Sequence, residues 1–272
     1  MKKILFVTDL YYNAKGRNYY EEDLFLTSAL REDFKLVICN PKDMNHFSED
    51  FDLVLFRNTG PAANFEEEYK IFRNEVKTNN LLTYNSFDGH GDMNGKNYLI
   101  DLTNKNMPVI KTVNNINDFH KLPDVDNYII KPIDGADSIG LEFLSKKEIC
   151  KKISSNNYDF LIQPFIDFQY EVSFYYIDRK FQYALYAPNK EKRWQMEEYT
   201  PTTEDFDFCS ILLNWNNLSH GIQRIDACRD EHGNLLLVEM EDLNPYLSLL
   251  DISSTLRDKF VSSLKESLNN IL

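Results

Sequence analysis

Over the first 85 positions the apolar residues fall in short unbroken runs, separated by stretches with helical spacing. Residues 4–7 (Ile-Leu-Phe-Val), 34–39 and 53–56 (Leu-Val-Leu-Phe) read as strands. Apolar runs without alternation belong to strands covered on both faces. Residues 21–30, with an acidic start that suits the helix dipole, and 65–76 read as helices, and 81–85 as a further strand. Strands alternating with helices predict a parallel sheet with right-handed crossovers. Ligands of such sheets sit beyond the carboxyl ends of the strands. Asp9, Arg57, Asn58 and Asn85 stand at such ends. Any one of them could equally be a loop residue capping a helix. Arg57, directly after a buried run, is the hardest to explain by packing, and we expect Arg57 and Asn58 to face substrate.

From about Lys96 the pattern changes. Residues 96–105 predict a helix ended before Met107-Pro108, 109–113 a short strand and 117–122 a short helix. Residues 128–131 form a strand that ends in Lys131, followed by a Gly-containing loop, 132–140. A strand (141–144), a helix (145–153) and a strand (160–164) come next. Alternation then dominates: 171–177 and 180–186 read as a hairpin turning at Asp178-Arg179, and 223–229 and 234–240 as a second pair joined by Asp230-Glu231-His232-Gly233. The polar, acidic stretch 190–207 around Trp194 is expected to be a loop and a candidate lid. Leu256, Phe260, Leu264, Leu268 and Leu272 recur at four-residue steps, which predicts a closing amphipathic helix.

Composition narrows the chemistry. Of 272 residues 43% are hydrophobic, enough for a sizeable core without disulfide or metal staples. Thirty Lys and Arg against 43 Asp and Glu leave a net charge of −13. That surface repels nucleic-acid backbone and anionic lipid, so neither is an expected partner. Cys39, Cys150, Cys209 and Cys228 are scattered, with no CxxC pair, as expected of buried thiols in a reducing compartment. The first apolar run is too short for a signal peptide or a membrane span, and a cytoplasmic protein is expected. No GxGxxG follows the first strand, and GxxxxGK[ST], HExxH and GxSxG are missing. This argues against dinucleotide, P-loop, zincin and serine-hydrolase chemistry.

Three features stand together. Lys131 precedes a loop with Gly135, Ser138 and Gly140, where small residues let backbone N–H groups approach phosphate and the lysine adds a compact charge. The second is acidic: Glu239 and Glu241 lie at i and i+2 on one strand and so share a face, with Asp226 across the turn. Three carboxylates on one face repel unless a hard cation neutralises them, and oxygen ligands favour Mg2+ or Mn2+ held with phosphates. A solvated acidic face is the alternative, and the apolar run 235–238 argues against it. The third feature is basic: Arg224, two residues from Asp226, and Arg193 could oppose an anionic intermediate, or could simply pair with Glu239 or Glu241.

With these residues in place the chain resembles the ATP-grasp carboxylate–amine ligases, the fold of glutathione synthetases and D-alanine–D-alanine ligases. The segments that carry the resemblance are Asn94 through Lys96 to Thr112, Tyr128-Ile129-Ile130-Lys131-Pro132 through Gly140, Ile162-Gln163-Pro164-Phe165-Ile166, Gln223-Arg224-Ile225-Asp226 and Val238-Glu239-Met240-Glu241. The subgroup containing O-ureido-serine cyclo-ligase is similar at Glu171-Val172-Ser173, Arg224-Ile225-Asp226 and the run from Glu239 to Pro245. Where most ATP-grasp enzymes carry Glu-x-Asn this chain has Glu241, as that subgroup does, and Asn244 stands where the subgroup has Glu. Asp137 places an acid in the phosphate loop.

The resemblance implies an α/β fold, α+β in its ATP-binding part. A Rossmann-like parallel-sheet lobe (1–93), a central lobe with the phosphate loop (94–162) and a C-terminal lobe with the metal strands (163–272) would enclose ATP. It implies an ADP-forming ligase that joins a small-molecule carboxylate to an amine through an acyl phosphate, with ATP and one or two Mg2+, or Mn2+, as cofactors. Lys96, Lys131, Gly135, Ser138 and Gly140 would hold phosphates. Main chain at Gln163, Phe165 and Ile166 would read adenine, and Glu171 the ribose. Asp226, Glu239 and Glu241 would bind metal, and Arg224 and Arg193 would assist catalysis. A cyclo-ligase or phosphotransferase on the same site, or a nucleotide-binding regulatory protein without turnover, stand as alternatives. Dimers are common among related ligases, which leaves a homodimer open.

Overall fold

The computed structural model describes residues 1–14, 17–47, 50–133, 140–153, 160–192 and 195–272. The chain opens with β1 (Lys3–Val7), a small pair β2 (Asn13–Ala14) and β3 (Arg17–Asn18), α1 (Tyr20–Leu30), β4 (Lys35–Cys39), β5 (Leu53–Phe56), α2 (Glu66–Thr78) and β6 (Thr83–Tyr84). Strands β4-β1-β5-β6 form a parallel four-stranded sheet. Its unbroken apolar runs have a simple cause. Ile4, Phe6, Leu53 and Leu55 pack with Leu26 and Leu30 of α1, while Leu5, Val7, Val54 and Phe56 pack with Phe65, Tyr69 and Phe72. Both faces of β1 and β5 are therefore dry, and each such side chain contributes about 1.5–3 kcal/mol of burial. The expectation of full cover fails for the edge strand β4, where Val37 and Ile38 are exposed.

The middle of the chain holds α3 (Tyr98–Asn104), β7 (Tyr128–Pro132), β8 (Glu142–Leu144), α4 (Lys146–Lys152) and β9 (Phe160–Pro164). The strands make an antiparallel sheet in the order β8-β7-β9. Ser145 caps α4 in a capping box with Glu148. Tyr128, Ile130, Ile149 and Ile162 fill a small core of their own. The strand expected at 109–113 reduces to two single bridges, Val109 to Leu237 and Val113 to Ile162. Its two ends reach different sheets, so neither sheet pairs with it along its length.

The last part comprises β10 (Phe168–Ile177), β11 (Lys180–Ala187), β12 (Glu197–Glu198), α5 (Thr203–Asn216), β13 (Ile222–Asp230), β14 (Leu235–Glu241) and α6 (Ser254–Ile271). An antiparallel sheet runs β12-β11-β10-β13-β14. The stretch 190–207 is not a simple loop. It contains β12, and its end is the first turn of α5, where Thr202 and Asp205 form a capping box. Phe260, Leu264 and Leu268 of α6 are buried among Ile4, Phe6, Tyr175 and Tyr183, so the closing helix is wedged between the parallel and antiparallel sheets. Its Ser267 Oγ accepts from the Tyr84 hydroxyl at 2.9 Å. All four cysteines are free, but Cys150 is exposed, unlike the three buried ones. No helix among the described residues is long and apolar enough to cross a membrane.

Candidate active site

The register of β13 and β14 builds the site. Arg224 stands opposite Glu241, and Asp226 opposite Glu239. Residues directly opposite on an antiparallel pair share a face, so two acids, an arginine and a third acid converge. The register then shifts, and Ala227 pairs with Leu237. The extra residue in β14 is a bulge that turns Leu237 into the core while the glutamates keep the open face.

Arg224 is the hub. Its Nε donates to Asp226 Oδ1 at 2.9 Å, its Nη2 to Asp226 Oδ2 at 2.8 Å and to Glu241 Oε1, and its Nη1 to the Tyr246 carbonyl at 2.8 Å. Ser173, opposite Asp226 on β10, donates to Asp226 Oδ1 at 2.6 Å. Lys96 Nζ lies 2.9 Å from Glu239 Oε1. Burial pulls the Lys96 ammonium down, but Glu239 outweighs it and holds Lys96 above its ordinary value. Burial likewise works to raise Glu239, and Lys96 and Lys131 hold it below the usual range. For Glu241 burial wins, aided by Asp226 and Glu239, and pushes it up to about 8 against the pull of Arg224. Burial lowers Lys131 to about 8, with Glu239 opposing and Lys96 reinforcing the shift. Arg224, Asp226, Glu239 and Glu241 thus share one partly dry face that Lys96 meets, with Lys131 near enough to act on Glu239.

This face closes one side of a 570 Å3 cleft lined by Lys96, Arg224, Glu239 and Glu241. The opposite wall includes Asn58, Tyr12 and Tyr19 from the first part of the chain, and Tyr246 follows β14. Tyr19 packs against both Tyr12 and Tyr246, with ring centroids 5.5 and 4.8 Å apart. The cleft lining therefore combines charged side chains with a cluster of tyrosines.

The expected substrate role of Arg57 does not fit its position. Its side chain is 1% exposed, with Nη2 3.0 Å from Glu22 Oε1, Nε 3.5 Å from Asp23 Oδ1 and Nη1 donating to the Pro245 carbonyl. It is hard to explain by apolar packing because α1 supplies two buried carboxylates to meet it. Asn58 borders the cleft, but its Nδ2 donates to the Tyr19 carbonyl and to Glu22 Oε1, leaving it committed to the same cluster. Asn244 Nδ2 donates to Thr59 Oγ1 at 2.7 Å, an anchoring contact between the two walls.

Glu171 lies two residues before Ser173 on β10, on the same face as the array. The Gln163 side chain is buried and donates to Thr112 Oγ1 at 2.8 Å. The Phe165 N–H is already bonded to the Asn127 carbonyl, so that amide is not open to a base. Ile166 is half-buried, and the exposed Phe165 ring meets exposed Phe143 edge-on at 5.8 Å. Gly140 has φ +76°, and a Cβ there would stand 2.9 Å from the Pro132 ring, next to Lys131. Gly135, Ser138, Asp137 and Arg193 lie outside the described residues.

Sequence reasoning passed over Asp92 and Asp242. Asp92 lines the cleft, and burial, with Asp242 and Glu241 nearby, holds its carboxyl well above the usual range. The signal was present in the spacing Gly89-His90-Gly91-Asp92, with two glycines beside an acid.

The donor chemistry fits a magnesium nucleotide. Hard oxygen donors sit beside Lys96 and Arg224, with Lys131 close to Glu239. Among the described residues no three of His, Cys, Asp and Glu are gathered as a ready metal cluster; Arg224 pairs with Asp226 and Glu241, and Lys96 with Glu239.

The fold is that of the ATP-grasp ligases. A D-cycloserine synthetase, DcsG, superposes with a TM-score of 0.72 at 19% identity, covering 97% of this chain and 99% of that one. D-Alanine–D-alanine ligase from Bacillus anthracis, complexed with ATP, gives 0.67 at 12% identity over 100% and 97% of the two chains. The ATP-grasp ligase PsnB, complexed with a precursor variant, Mg and ADP, gives 0.61 at 16% over 96% of each. No protein-family model matches the chain, and no curated protein matches its sequence.

Proposed function

We propose that this protein is an ATP-dependent ligase that activates a small carboxylate as an acyl phosphate and joins it to an amine, releasing ADP and phosphate. The observation that carries the reading is the array of Lys96 and Arg224 interleaved with Glu239 and Glu241 in the cleft, with Asp226 paired to Arg224 behind them and Lys131 near enough to Glu239 to hold its carboxyl low. Such a face suits a polyphosphate and a divalent ion together. The ATP-grasp fold, and the ATP, Mg and ADP held by the structures it resembles, support the same reading.

Lys96 and Lys131 would hold phosphate oxygens. Asp226, Glu239 and Glu241 would hold Mg2+, which when bound neutralises phosphate charge and orients the transferred group. Arg224 would give up part of its hold on these acids to stabilise the phosphoryl group and then the oxyanion at the acyl carbon. No side chain acts as a nucleophile: a substrate carboxylate oxygen attacks the γ-phosphorus and ADP leaves, then the amine attacks the acyl carbon and phosphate leaves. The chain's contribution is position and charge in a site that keeps water from the acyl phosphate. The tyrosines of the cleft, Tyr12, Tyr19 and Tyr246, would border the carboxylate and amine substrates.

Thermal melts with Mg2+ and AMP-PNP, each alone and together, test the nucleotide site. The expected outcome is a stabilisation that needs both. No shift in any combination would refute the reading. Phosphate release with candidate amino acids then separates a ligase from a phosphotransferase, which would release ADP without free phosphate.

A further inference from the structure

Asp92 and Asp242 are joined in both directions. The Asp242 carboxylate accepts from the Gly91 N–H through Oδ2 and from the Met93 N–H through Oδ1, each at 2.9 Å. Asp92 Oδ1 in turn accepts from the N–H groups of Asp242 at 2.7 Å and Leu243 at 3.1 Å. Each aspartate thus ties down the backbone that carries the other. Two glycines make room for this. A Cβ on Gly89 would fall 2.2 Å from Asp242 Oδ2, and one on Gly91 2.9 Å from Asp242 Cγ. Asn216 Oδ1, from the end of α5, adds bonds from the N–H groups of His90 and Gly91.

What the clasp joins matters. Asp242 directly follows Glu241 on β14. The clasped segment turns sharply at Asp92–Gly95, where the Gly95 N–H meets the Asp92 carbonyl at 2.8 Å, and the next residue is Lys96. Lys96 then reaches back to Glu239. The lysine and the acid it meets are therefore set on two backbones fixed to each other within a few residues of both.

We infer that Asp242, with Asp92, is a positioning residue that sets Lys96 against the Glu239 and Glu241 strand for nucleotide binding. The inference rests on the nucleotide reading above. Asp242 acts on phosphate through Lys96, so its removal loses what Lys96 supplies and no more. Both its oxygens accept, and an asparagine there offers one acceptor for two amides. Asp92 accepts both of these amide hydrogens on one oxygen, which an asparagine retains, and its carboxyl also hydrogen-bonds the Asp242 carboxyl, a contact the asparagine amide can still donate.

The test is a double-mutant cycle on the affinity for AMP-PNP with Mg2+, measured by calorimetry alongside melting temperature. Asp242→Asn and Lys96→Ala are each expected to weaken binding about tenfold. The double variant is expected to bind no more weakly than Lys96→Ala alone, the mark of one residue acting through the other. Should Asp242→Asn fail to fold, Asp92→Ala replaces it in the cycle, and Asp92→Asn should rescue the affinity that Asp92→Ala loses. Additive losses, or wild-type affinity in Asp242→Asn, overturn the clasp while leaving the nucleotide site standing. A wild-type protein that does not bind AMP-PNP with Mg2+ overturns the nucleotide reading and this inference with it.

Discussion

Two places in this molecule set one arginine between two carboxylates, and they differ in access to solvent. Arg57 meets Glu22 and Asp23 with all three side chains at 0–1% exposure. Arg224 meets Asp226 and Glu241 at 16–21%, on the wall of a cleft. The first cluster holds backbone. Arg57 carries the Pro245 carbonyl, and Glu22 takes the Leu247 N–H at 3.0 Å, so the segment after β14 is fastened to α1 and β5. The second fastens the same segment through the Tyr246 carbonyl, yet its charges remain within reach of a ligand. A buried ion pair is weak evidence of stabilisation, but breaking one leaves an uncompensated charge. A cleft-lining pair can exchange its partner for an incoming anion or cation.

The sharpest way to break the comparison is to remove each arginine. Above about pH 7, where Glu22 is ionised in the fold, Arg57→Ala should cost about 3–5 kcal/mol, because Glu22 and Asp23 lose their counter-charge where water cannot replace it. Arg224→Met should cost less, about 1–2 kcal/mol, since Asp226 and Glu241 can be solvated from the cleft. Arg224→Met should instead lose affinity for AMP-PNP with Mg2+. Urea denaturation and calorimetry of both variants check this, and equal stability losses would erase the distinction.

The next effect is one of pH. Burial raises Glu22 from 4.5 to about 7, and Asp23 shifts in the same direction for the same cause. Between those values the folded protein holds a proton that the unfolded chain has released. Stability from this group is therefore full below about pH 4.5 and falls as pH rises towards about 7. Glu22→Gln removes the titration, so its stability should depend less steeply on pH across that window than the wild type's. Identical slopes in urea denaturation at pH 5, 6 and 7 would show that Glu22 is ionised in both states.

Much of this was legible in the chain. The unbroken runs of β1 and β5 announced a sheet covered twice, and the i, i+2 spacing of Glu239 and Glu241 announced a shared face. The hairpin interval brought Asp226 opposite Glu239 as the pairing required. What failed did so for physical reasons. Arg57 was read as reaching for substrate because the sequence cannot show that α1 turns Glu22 and Asp23 inward to meet it. Helix α5 was hidden because its capping box, Thr202 to Asp205, sits in a run of acids that reads as loop. The Asp92 and Asp242 clasp joins residues 150 positions apart, and only its glycines left a trace.

The smallest expected effect sharpens the account of the cleft array. Ser173 gives Asp226 a neutral hydrogen bond, while Arg224 gives it charged ones. If Arg224 sets the position of Asp226, Ser173→Ala should cost only about 1 kcal/mol and leave the array in register. If Ser173 is instead what keeps Asp226 aligned for a metal, the same variant should lose affinity for AMP-PNP with Mg2+ as strongly as Asp226→Asn does. The register favours the first outcome, because Asp226 and Glu239 are set opposite by the backbone of β13 and β14 whatever Ser173 contributes. Ser173→Thr, which keeps the hydroxyl, separates loss of the bond from loss of packing on this 9% exposed position. An affinity loss in Ser173→Ala equal to that of Asp226→Asn would move the origin of the array's geometry from the strand pair to the side chains of β10.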